Sequence, residues 1–83
     1  MWKIIKFSME LSLCKCAKNI DYVIKRIECD YKTKHRLKCL GFLEKEKVKL
    51  LNYNYGNTCC LVKVMGINYA IDKQICERIV VCV

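Results

Sequence analysis

The segment Arg36-Leu37-Lys38-Cys39-Leu40-Gly41-Phe42 (RLKCLGF) holds both the last turn of a helix and the signal that stops it. Leu37 and Leu40 are three apart and share a helix face. Gly41 has no Cβ and enters the left-handed region without steric cost. Phe42 stands where a helix end of the Schellman type folds an apolar residue back on the last turn. The expected helix is short, Lys32 to Leu40, and most of what surrounds it reads as strand. One short capped helix among strands points to a helix that closes something the strands leave open.

DYVIKRIEC (21–29) is rich in β-branched and aromatic residues and reads as a strand. EKVKLLNY (46–53) alternates, with Val48 and Leu50 on one face. NYNYGN (52–57) supplies the Asn and Gly of a hairpin turn. TCCLVKVM (58–65) puts Cys60, Val62 and Val64 on one side, and Gly66 and Asn68 end it. NYAID (68–72) is a short strand whose Asp72 can cap a single turn, KQICER, with Ile75 and Ile79 on one face. IVVCV (79–83) closes the chain as a strand. Upstream, residues 1–9 alternate roughly apolar and basic and read as a strand or a loose extension. MELSLCKCAKN (9–19) reads as a helical turn capped by Ser12 and anchored by Leu11, Leu13 and Ala17.

The expected fold is therefore mainly β: five short strands, one short helix after the first strand and a helical turn before the last. Strands this few and this close cannot make a sandwich. They can curl into a small barrel that hides its edges, and the helix ending in RLKCLGF is then the lid over one end. A length of 83 residues suits one domain and not two, here 1–83 with residues 1–10 as an N-terminal extension. Hydrophobic residues, 54% of the total, are spread along the whole chain, which argues against disorder.

The net charge of +8 admits an acidic partner, but the charges are scattered and fit a solvated surface better. Eight cysteines would mean disulfides in a secreted protein. Lys6, Glu10 and Lys15 interrupt every early apolar run before it reaches the length of a signal core, and no run approaches the ~20 residues of a membrane span. The expectation is a cytoplasmic chain with reduced thiols and no insertion into the membrane.

Cys14-Lys15-Cys16 and Cys59-Cys60 are the metal candidates. No Cys-x-x-Cys pair is present, and adjacent cysteines on a strand point to opposite faces. No cofactor is expected, with a metal at Cys14 and Cys16 as the less favoured alternative, and the cysteines read as small buried hydrophobes. The single histidine, His35, has no evident nucleophilic partner in sequence, and there is no phosphate-cradling Gly-rich loop, so the chain does not read as an enzyme. Tyr53 and Tyr55 flank the Asn-Gly turn and suit partner contact, unless one folds back on the barrel. Lys32, Lys34, His35, Arg36 and Lys38 form a basic helix side, either a docking face or a solvated one.

Taken in order, LSLCKCAKN, YVIKRIE, RLKCLGF, VKL, GNTCCLVKVMG and YAIDKQICERIVV span Leu11 to Val81. This ordered set resembles the FeoA family, small cytosolic SH3-like barrels associated with ferrous iron transport. Lys45 stands where that family usually has Gly, Lys18-Asn19 replaces another usual Gly, and Cys76 replaces a usual Ala. The resemblance implies an SH3-like barrel and a non-enzymatic accessory of a FeoB-type membrane GTPase transporter. The surface assigned to that partner is Lys34, His35, Arg36, Tyr53 and Tyr55. One rival is a small basic barrel binding nucleic acid, which would want aromatics interleaved with Lys and Arg on a strand face. Since the tyrosines sit on loops, no nucleic acid is expected. The other rival is a metal-sensing domain like those of iron-dependent repressors. Self-association is left open.

Overall fold

A computed structural model of the chain describes residues 10–82. The expected strand or extension over 1–9 lies outside the described residues. The elements are β1 (Glu10–Ser12), a 3₁₀ turn (Leu13–Lys15), β2 (Asp21–Ile27), α1 (Tyr31–Leu40), β3 (Lys47–Tyr55), β4 (Cys59–Val64), β5 (Ile67–Asp72), α2 (Lys73–Glu77) and β6 (Ile79–Cys82). They form one antiparallel sheet in the order β1-β6-β2-β3-β4-β5.

Among the described residues there are thus six strands and not five. The extra one is β1, which lies inside the segment read as a helical turn, takes Glu10 out of the supposed extension and makes α1 follow the second strand. Ser12 does not cap the 3₁₀ turn. Its Oγ donates instead to the Glu77 carbonyl at 2.8 Å, across the chain from β1 to α2. Ala17, expected as an anchor, is exposed, while Leu13 is completely buried. Asp72 occupies the N-cap position of α2 without making a side-chain cap bond.

The hydrogen-bonded ladder is open, with β1 and β5 as its outer strands, so the expected closed barrel is not formed by pairing. The gap is bridged by packing, because the 3₁₀ turn after β1 lies against α2, which follows β5. The inward face carries the alternating residues expected of half-buried strands. Val48 and Leu50 of β3, Cys60, Val62 and Val64 of β4, and Ile24 and Val81 are buried with Leu13, Leu37, Phe42 and Cys76.

Two turns decide the register. Lys45 takes φ 73°, the left-handed conformation that glycine usually supplies. It is held there because its amide donates to the Ile24 carbonyl at 2.8 Å and the Ile24 amide donates to the Glu46 carbonyl at 2.9 Å. Met65 and Gly66, at φ 51° and 79°, form the two-residue connection between β4 and β5, the positive-φ pair that suits the right-handed twist of a hairpin.

Candidate functional site

The helix α1 is defined at both ends by its own sequence. Asp30 precedes it, and its Oδ2 accepts from the Thr33 amide at 3.3 Å. Hydrogen bonding from Thr33, its side chain first and then its amide, holds the Asp30 carboxyl below its ordinary pKa. At the other end Gly41 has φ 109°, its amide donates to the Lys38 carbonyl at 3.0 Å, and the Phe42 amide donates to Leu37 at 3.0 Å. These are the two bonds of a Schellman end. Buried Leu37 and Phe42 supply its apolar contact positions.

Only Leu37 enters the core. Leu40, expected beside it, is 38% exposed and stands at the rim with Leu43, Met65 and Ile67. The helix is therefore rolled relative to the expected lid. Lys34, three residues before Leu37, is half-buried, while His35 and Arg36 are exposed. His35 stacks on Tyr31, with centroids 6.3 Å apart and rings 11° from parallel, and its Nε2 lies 3.8 Å from Cys39 Sγ. Tyr31 is 84% exposed and extends this face; sequence reasoning missed it. Its spacing of four from His35 was the available signal.

The two tyrosines expected on a loop both lie in β3, which runs on to Tyr55, and they are not a pair. Tyr53 folds back against the core, and burial pushes its phenol upward from its ordinary pKa. The Lys73 ammonium sits 4.5 Å from its ring centre and also donates to Asn54 Oδ1 at 2.7 Å. Tyr55 stays half-exposed near the hairpin tip. Gln74 of α2 borders one depression with Asp30 and Thr33 and another with Asn57 and Thr58. The helix face and the hairpin are thus joined through α2, and Lys73 and Gln74 belong to the surface though neither was singled out from sequence.

The cysteines are all free. Cys16 is buried, its thiol lies 3.6 Å from the Ser12 carbonyl, and burial pushes its pKa up to about 11. Burial likewise raises Cys14, Cys60 and Cys76. Thiols held protonated are poor ligands and poor nucleophiles. Cys60 points into the core and Cys59 to the surface, as their adjacency requires. Among the described residues no group of three or more His, Cys, Asp or Glu side chains is arranged to hold a metal ion, and no helix is long and apolar enough to cross a membrane.

A family model described as FeoA domain matches residues 10–83. No curated protein matches the sequence. Among solved structures, the FeoA protein from Chlorobium tepidum superposes with a TM-score of 0.80 at 18% identity, over 88% of this chain and 70% of that one. FeoA of Stenotrophomonas maltophilia, described as a prokaryotic SH3 domain protein complexed with zinc, gives 0.69 at 21% identity, over 92% and 89% of the two chains. A manganese-dependent transcriptional repressor gives 0.81 at 13% identity over 94% of this chain, which spans only 44% of the repressor. At these identities the likenesses speak for a shared SH3-like fold alone.

Proposed function

This chain belongs to the FeoA domain family, and from that membership we propose that it is a non-enzymatic accessory of ferrous iron transport, docking in the cytoplasm on a FeoB-type membrane GTPase. The observation that carries the docking reading is that Tyr31, His35 and Arg36 on α1, Gln74 on α2 and Tyr55 on β3 are all exposed, with Gln74 bordering depressions shared with Asp30 and Thr33 on one side and with Asn57 and Thr58 on the other. It combines aromatic area with positive charge, which suits a protein partner better than a small substrate. Lys34 and Arg36 speed encounter with an acidic face. Tyr55 holds the complex once formed, and Tyr53 acts indirectly by fixing Lys73. Binding shifts the transporter between states only through a different affinity for each.

Kinetic binding to the cytosolic part of a FeoB-type transporter tests this. Tyr55→Ala is expected to raise the off-rate with the fold intact. Lys34→Glu combined with Arg36→Glu is expected to lower the on-rate, most visibly at low salt. Unchanged kinetics in both variants would place the interface elsewhere.

A further inference from the structure

A second surface, formed by residues none of which belongs to the proposed docking set, carries charge that the fold does not explain. Lys45, Lys47, Lys49 and Lys63 border one open cavity of about 490 Å³, with Asp21 and Glu46 as its only acids. The alternation that buries Val48, Leu50, Val62 and Val64 turns Lys47, Lys49 and Lys63 outward. Register then sets Lys49 of β3 directly opposite Lys63 of β4. Like charges placed this way weaken a ladder. Asp21, opposite Lys49 on β2, offsets part of it, with its Oδ1 3.7 Å from Lys49 Nζ. Among the described residues Lys45, Lys47 and Lys63 have no carboxylate oxygen within 4.0 Å.

We propose that this face binds an acidic, extended peptide segment of a partner protein, with carboxylates at alternate positions. Lys47 and Lys49 are two residues apart on one strand, a spacing of about 6.7 Å, which is also the repeat of same-side side chains in an extended peptide. Lys63 stands one strand over, about 5 Å away, and widens the positive strip. No aromatic residue borders the cavity, so it lacks the stacking platform of a single-strand nucleic-acid site. The chain's own residues 1–9 contain two lysines and no acid and do not match it. The surface is independent of the proposed docking on α1, and its test needs no transporter.

The probes are a labelled short peptide of alternating Glu and Ser and a labelled oligothymidylate of equal length. Fluorescence anisotropy at low salt gives affinities, and amide chemical shifts locate the site. The peptide is expected to bind, with shifts on β3 and β4. Lys47→Gln combined with Lys63→Gln should weaken it about tenfold, as expected for losing charge-assisted contacts, while Lys34→Gln combined with Arg36→Gln leaves it unchanged. Lys63→Glu separates binding from folding. It creates an attractive pair with Lys49, so the melting temperature should rise while peptide affinity falls. Peptide binding that survives the β3–β4 variants, an equal loss in the α1 variant, or tighter binding of the oligothymidylate would overturn the proposal.

Discussion

The phenol of Tyr69 on β5 donates a 3.1 Å hydrogen bond to the backbone carbonyl of Leu40, 29 residues earlier in the last turn of α1. Carbonyls of a last turn have no partner within their own helix. The bond therefore ties the helix end to an outer strand, and the Tyr69 ring sits 5.8 Å from that of Phe42, tilted by 50°. Tyr69→Phe keeps the ring and removes the bond. The expected cost is ~1 kcal/mol, read from urea unfolding with an unchanged m-value. No loss would mean that water serves the Leu40 carbonyl equally well and that Leu37 and Phe42 alone hold α1.

Gly41→Val should destabilise the fold by at least ~1–2 kcal/mol, the strain of a side chain in the left-handed region. A Cβ at this position would also lie 2.8 Å from Met65 Sδ. The two effects separate in a pair of variants: adding Met65→Ala to Gly41→Ala relieves the crowding and leaves the backbone strain. Thermal melts measure both. If the double variant recovered full stability, the positive φ would carry no cost.

Alkaline stability should reflect Cys16. Its folded pKa, about 11, lies above the ordinary 9.0 because burial disfavours the thiolate. Between those values the unfolded chain gives up the proton and the folded chain keeps it. Stability is thus fully present below pH 9 and is lost as pH rises toward 11, by up to ~3 kcal/mol from this group. Unfolding titrations of the wild type and Cys16→Ala should diverge in slope across that window and run parallel below it. Parallel behaviour throughout would mean the thiol ionises equally well when folded.

Local chemistry was readable from the chain. Gly41, Phe42 and the alternation of β3 and β4 each follow from a residue and its near neighbours. What escaped depended on partners distant in sequence. The three residues of β1 form a strand because β6 lies beside them, and nothing in ELS announces that pairing. Leu37 and Leu40 share a face, but Leu40 stays out of the core while its carbonyl is held by Tyr69. Tyr53 folds back because the β4–β5 hairpin returns Lys73 to its ring. The facing of Lys49 and Lys63 follows from the β3–β4 register, which starts at the hairpin turn and shifts twice between Leu50 and Tyr55.

The first and last described strands are also partners: Glu10, Leu11 and Ser12 pair with Cys82, Val81 and Val80. During synthesis this contact cannot form until β6 itself has been made. Leu13, in the turn that follows β1 and packs against α2, β3 and β6, reaches its buried place only when these elements are present, whereas the β2–β5 meander can assemble from nearer contacts. Closing so long a loop comes late in folding.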